Sequence, residues 1–156
     1  MIRGEFDASD PYPKPWVRVF VNLAGISPIW TEVRFLLDTG AGVTCLHPRD
    51  AIAAGVRTTA LITPSAWSKV VNLSGVGGTM QYFETAASFG FPQVDGSLHL
   101  IDQTILVARA RRTNTRLPSL LGWDILRGFR LTIDQDAGLI DLEPHVPNVV
   151  QVPNTP

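Results

Sequence analysis

The chain has 156 residues, 45% of them hydrophobic and 17% charged, with a formal net charge of −1. This suits one domain with its own core and excludes both a disordered chain and an electrostatic case for nucleic acid. A single cysteine, Cys45, excludes a disulfide framework, no apolar run approaches a membrane span, and no basic-then-apolar leader opens the chain, so a cytoplasmic location is expected.

Thirteen glycines and twelve prolines punctuate the sequence often, which favours short strands and turns over long helices. Residues 1–15 are polar and proline-rich and are expected to form a flexible N-terminal arm. Residues 16–143 are expected to form the folded domain. Within it, Trp16 to Leu23 alternates through Val17, Val19 and Val21 with the period of a strand. Gly25 to Pro28 supply a turn, and Ile29 to Leu37 read as the returning strand. Val43, Cys45 and Leu46 read as the next strand. Pro48 to Ala54 suits one or two turns of helix, with Pro48 in the first turn and Gly55 as the stop. Residues 56–68 are ambiguous.

Val70 to Leu73 and Met80 to Phe83 flank a glycine-rich tip, Gly75-Val76-Gly77-Gly78-Thr79, as a hairpin. Ala86 to Phe91 continue the second strand, Val94 to Ser97 turn, and Leu98 to Ala108 hold another strand pattern. Arg109, Arg111, Arg112 and Arg116 form a basic cluster that reads as a solvated loop in preference to an anion site. Leu120 to Gly122 read as a buried strand, followed by a short helix that Asp124 is expected to help cap through Arg127. Phe129 to Asp134 and Leu139 to Leu142 read as a hairpin. Residues 144–156 form a proline-rich tail whose one strand-like piece begins at Val149.

The chemistry gathers at Phe35-Leu36-Leu37-Asp38-Thr39-Gly40-Ala41. A short apolar run delivers one carboxylate into a tight turn. Thr39 can hydrogen-bond locally and Gly40 lets the backbone fold under the acid. A carboxylate held in this way sits rigidly and half out of water.

Three blocks in order resemble the aspartic proteases of the retroviral, or retropepsin-like, type. They are the Asp-Thr-Gly block, the glycine-rich hairpin, and Leu120-Leu121-Gly122-Trp123-Asp124. The resemblance implies a mostly β fold, a closed β-barrel with one or two short helices. It implies a catalytic Asp38 on an active-site loop of Thr39, Gly40 and Ala41. Gly75, Val76, Gly77 and Gly78 would form a flap over substrate, and Leu121 and Gly122 would support the site from behind. The chain carries one Asp-Thr-Gly and no Asp-Ser-Gly, which is half an active site. A homodimer is therefore expected, with two Asp38 carboxylates facing each other across a two-fold axis. Like charges that close share one proton. One carboxylate would act as general base on a water and the other would polarise the peptide carbonyl, with no metal or cofactor. The partner would be a peptide or protein in extended conformation.

Two departures stand out. The retroviral pattern places an acid after Asp-Thr-Gly-Ala and an Arg after the Gly of the later block, and the two pair. Here the positions hold Gly42 and Trp123, so both partners are absent together and no charge is left unpaired. Cys45 and His47 are two apart and would share a strand face, but the favoured reading is a buried structural cysteine with an incidental histidine. Trp16, Trp30, Trp67 and Trp123 read as core or interface aromatics. Two rival functions remain: a catalytically inactive dimerisation or peptide-binding module on the same fold, and a thiol hydrolase using Cys45.

Overall fold

Apolar alternation builds the first hairpin. The computed structural model describes residues 1–7, 11–75 and 78–150. Strand β3 (Pro15–Leu23) points Val17, Val19, Val21 and Leu23 inward, all fully buried, and leaves Arg18 to solvent. It pairs antiparallel with β4 (Thr31–Leu37), whose Val33, Phe35 and Leu37 face the same core. After a short β5 (Cys45–Leu46) comes helix α1 (Pro48–Ala53), with Pro48 in its first turn as its fixed φ favours. The ambiguous stretch resolves into two single 3₁₀ turns, Ala60–Ile62 and Pro64–Ala66.

Strand β6 (Val70–Gly75) and the long β7 (Gly78–Pro92) form the expected glycine-tipped hairpin, with Gly75 opposite Gly78. Val76 and Gly77 lie outside the described residues. Strand β7 then pairs along most of its length with β8 (Leu98–Ala108) and, through its second half, with β3. Strand β9 (Leu120–Leu121) runs parallel to β4 and antiparallel to β5, and β5 runs parallel to β8. The circuit β8–β5–β9–β4–β3–β7 returns to β8 and so closes a six-stranded barrel. Phe35, Phe83, Phe89 and Phe91 fill it with aliphatic neighbours. Helix α2 (Trp123–Leu126) follows β9, so the two helices are both short, as expected.

A second sheet sits beside the barrel: β10 (Phe129–Asp134) and β11 (Leu139–Pro144) pair as a hairpin, and β1 (Ile2–Arg3) adds to β11. Strand β2 (Glu5–Phe6) pairs with β3. The described start of the chain is thus tied down, where a flexible arm over residues 1–15 was expected. Ile2 is buried, Glu5 pairs with Arg34 at 2.9 Å, and Gly4 lets the chain lie close on its neighbours. A Cβ on Gly4 would meet the Trp16 carbonyl oxygen at 2.5 Å and Ile140 at 2.6 Å. The strand-like piece of the tail forms β12 (Val149–Val150) on the edge of β8, and residues 151–156 lie outside the described residues. Among the described residues, no helix is long and apolar enough to cross a membrane.

Candidate active site

Two strands flank a third, and the loop between them carries the acid. Strands β4 and β5 lie on either side of β9, so the chain from Leu37 to Cys45 must loop over the end of β9. The Asp38 N–H donates to the Leu121 carbonyl at 3.1 Å, which carries the β4–β9 ladder up to the acid itself. The Asp38 carboxylate accepts from the N–H groups of Gly40 at 2.9 Å and Ala41 at 3.2 Å. The Ala41 N–H also donates to the Asp38 carbonyl at 3.1 Å and closes the turn. Asp38 and Ala41 are half-buried, while Thr39 and Gly40 are exposed at the loop tip. The sequence-predicted loop is therefore a rigid turn that presents one carboxylate at the surface of the chain.

The support behind the loop is a close backbone contact. Gly122 is buried, and a Cβ there would meet the Val43 carbonyl carbon at 2.5 Å, its oxygen at 2.7 Å and the Ala41 oxygen at 2.9 Å. A glycine at this position allows the main chains to touch. The Trp123 N–H then donates to the Ala41 carbonyl at 2.8 Å and the Asp124 N–H to that of Gly42 at 3.2 Å.

A side-chain relay reinforces this contact, and sequence reasoning missed it. The Gly122 N–H donates to Thr44 Oγ1 at 2.9 Å, and Thr44 Oγ1–H donates to Asp124 Oδ1 at 2.7 Å. The Thr44 N–H also donates to Asp124 Oδ1 at 2.9 Å, and Gln103 Nε2 donates to Oδ2 at 3.2 Å. The expectation that Asp124 caps its helix through Arg127 is corrected here. The N-cap of α2 is Gly122, with no side-chain cap bond, and the Asp124 carboxylate turns back to Thr44 and to the N–H of Ile125. The one sequence signal was Thr44 itself, a polar residue inside the apolar run Val43–Leu46 that is fully buried and must be hydrogen-bonded.

The loop and the glycine-rich hairpin border one cleft of about 400 Å³. Gly40, Ala41, Gly42 and Val43 form one wall, and Leu73 to Gly75 with Gly78 to Met80 form another. Of the flap residues inferred by resemblance, Gly75 and Gly78 are thus brought to the Asp38 loop, while Val76 and Gly77 are outside the described residues. Ser74 and Thr79 hydroxyls bridge the hairpin at 2.9 Å just below its tip. Strand β6 is largely exposed, so the hairpin stands away from the core. Cys45, Tyr82, Leu106, Arg111 and Leu120 also line the cleft. A larger cleft, of about 600 Å³, lies between the β3–β4 turn, Arg57, Trp67 and Glu84. It includes no residue of the Asp38 loop.

Burial displaces the thiol and the phenol of the cleft upward, away from ionisation. It pushes the Cys45 thiol up to about 12, against a partial offset from the Leu120 backbone, and the charges of Asp124 and Asp38 raise it further. Burial also raises Tyr82. His47 sits outside the cleft lining, beside Asp50 and Ser119, so Cys45 and His47 do not form a thiol–base pair facing it. Among the described residues, no group of three or more His, Cys, Asp or Glu is placed to hold a metal ion.

No protein-family model matches the sequence, and no curated protein matches it. Among solved structures, the chain is similar to the EIAV protease complexed with the inhibitor HBY-793, with 24% identity and a TM-score of 0.50 over 76% of this chain and 89% of that one. It is also similar to a retropepsin-like aspartic protease from Rickettsia conorii, with 19% identity and a TM-score of 0.44 over 80% of this chain and 86% of that one. The chain has the retropepsin-like fold, mostly β with a closed barrel and two short helices.

Proposed function

We propose that the chain is an aspartic endopeptidase that acts as a homodimer, with Asp38 from each of two copies forming the catalytic pair. The observation that carries this reading is the Asp38 turn. One carboxylate, fixed by two backbone N–H groups, stands half-buried on a loop whose next residues, Gly40 to Val43, wall a cleft bordered by a glycine-tipped hairpin.

Within a single copy, no carboxylate lines the cleft beside this acid among the described residues, and the sequence holds no second Asp-Thr-Gly. Two-fold association through the loop tips would bring Asp38 against its symmetry mate. The pair would then carry one proton between them. The ionised member takes a proton from water as that water attacks the peptide carbonyl, and the protonated member donates to the carbonyl oxygen. As the C–N bond breaks, the proton taken from water passes to the leaving amine and a hydroxyl of the tetrahedral intermediate returns its proton to the other carboxylate, so the pair is again singly protonated. Thr39, exposed beside Asp38, would brace loop against loop. An extended peptide would lie beneath the β6–β7 hairpin, with the tips from Gly75 to Gly78 closing over it and excluding water.

The test is cleavage of a diverse peptide library between about pH 4 and 7, a range that brackets carboxyl titration and its upward displacement in a shared pair. Wild type is compared with Asp38→Asn. The variant should lose about 100- to 10,000-fold in rate, the range for a positioned acid–base group. Equal cleavage by both proteins would overturn the assignment. Binding of peptides by both without cleavage by either would favour the inactive peptide-binding module.

A further inference from the structure

The cleft beside Asp38 has one side chain in its lining that is charged at neutral pH, Arg111. No Asp or Glu lines it, and its thiol and phenol are both displaced upward by burial. The remaining wall is apolar or uncharged, with Leu73, Met80, Leu106 and Leu120 prominent. Among the described residues, no salt bridge engages the Arg111 guanidinium.

The loop that carries Arg111 is firmly held. Asn114 is fully buried; its Oδ1 accepts from the Arg111 N–H at 2.9 Å, and its Nδ2 donates to the Arg109 carbonyl at 2.8 Å. Arg109 ties the same loop to the hairpin, donating from its N–H to the Gln81 carbonyl at 3.0 Å and from Nη1 to Gln81 Oε1 at 3.0 Å. The neighbouring Arg109 is thus occupied, whereas Arg111 is fixed at its backbone and its head has no hydrogen-bond or ion-pair partner among the described residues. Arg111, Arg112 and Arg116 are all exposed, and of these three Arg111 alone lines the cleft.

Resting on the reading of this cleft as a peptide groove, we propose that Arg111 selects substrates carrying an aspartate or glutamate at the side-chain position that enters the cleft next to the Asp38 loop. An extended peptide sends alternate side chains into such a wall. The leucine-rich surface would take the methylene stem, and the guanidinium fork would take the carboxylate through paired N–H donors.

The experiment uses the full chain carrying Asp38→Asn, which removes cleavage from the readout. Fluorescence anisotropy at pH 7 would measure binding of extended peptides in which each position in turn is Glu, Gln or Lys. At one position Glu should bind about tenfold tighter than Gln, as a charge-assisted pair predicts. Adding Arg111→Glu should reverse the order so that Lys binds best, whereas adding Arg112→Glu should leave the order as it was. An unchanged order with Arg111→Glu, an equal reversal with Arg112→Glu, or no binding of any peptide would overturn the proposal. Acid-selective binding to the Asp38→Asn chain, with no cleavage of the same peptides by wild type, would support Arg111 selection while rejecting the protease reading.

Discussion

Cys45 and Asp38 stand near one cleft, yet their surroundings suit them to opposite roles. Asp38 is half-buried and its carboxylate is met by two N–H donors. Cys45 is 4% exposed, and burial pushes its thiol up to about 12. A thiol so displaced carries almost no thiolate at neutral pH and is a poor nucleophile. Iodoacetamide at pH 8 should leave the folded chain unlabelled over an hour and label it within minutes in strong urea. Rapid labelling of the folded chain would revive the thiol hydrolase. His47 makes a different prediction. It is 4% exposed, its Nδ1 has no hydrogen-bond partner among the described residues, and burial holds it below the ordinary 6.5 despite raising contributions from the Pro118 backbone and from Asp50. The folded state therefore takes up fewer protons than the unfolded chain as pH falls below 6.5, so stability is full above that value and is lost on acidification through the window below it. His99 is shifted in the same direction, also by burial. The thermal midpoint should fall between pH 6.5 and 5, and His47→Asn should flatten that fall without abolishing it. An identical slope in the variant would show that His47 does not contribute.

At the scale of elements, the joint between the Asp38 loop and α2 does its work without a salt bridge. Gly42 and Trp123 occupy the positions where the retroviral pattern has an acid and an arginine. Their own backbone groups carry the connection, from the Trp123 N–H to Ala41 and from the Asp124 N–H to Gly42. The buried Thr44 hydroxyl completes it by accepting from Gly122 and donating to Asp124. Replacing both charges with neutral groups avoids a stranded ion, and the relay supplies the directionality. Thr44→Val keeps the shape but leaves the Gly122 N–H without its acceptor, and should cost about 1–3 kcal/mol of stability by urea denaturation. Gly122→Ala should cost at least about 1–3 kcal/mol, because the new methyl meets main chain that cannot swing aside. If either variant unfolds at the wild-type urea midpoint, the joint is more pliant than its contacts indicate.

The whole molecule closes its barrel within one chain but leaves its acid at the edge. The barrel closes through the β7–β8 pairing, and the second sheet and the hairpin are built from strands of the same chain. The exposed part of the Asp38 loop is Thr39 and Gly40 at its tip together with Gly42 and Val43, with Trp123 51% exposed nearby. A large aromatic in that position fits a surface that becomes covered on association. If the catalytic pair forms between copies, specific activity should decline on dilution, and cleavage should approach a second-order dependence on protein concentration below the dissociation constant. Strict proportionality down to the lowest measurable concentration, with a monomer in sedimentation, would reject the shared pair. Trp123→Ala should shift the decline to higher protein concentration while leaving the monomer folded.

Much of this molecule was written locally in the chain. The alternation through Val17, Val19, Val21 and Leu23 fixed a strand and its inward face, because side chains on a strand alternate by geometry. The run into Asp38-Thr39-Gly40 fixed the turn, because the bonds that shape it join neighbours. The start of the chain was misjudged from its composition: polar residues and prolines concealed two short strands whose anchors, Ile2 and Glu5, pair with distant partners. Asp124 was misread for the same reason, since its nearest charge in sequence is Arg127 but its partner is Thr44, 80 residues away. Arg111 reads from the sequence as a solvated loop residue and is indeed exposed, but only the folded barrel shows that its loop borders the cleft beside Asp38. Periodicity and turn chemistry act over a few residues and are visible in any stretch. Which polar group satisfies which, and which loop shares a cleft with which, depends on how the sheet closes, and that was decided only by the tertiary structure.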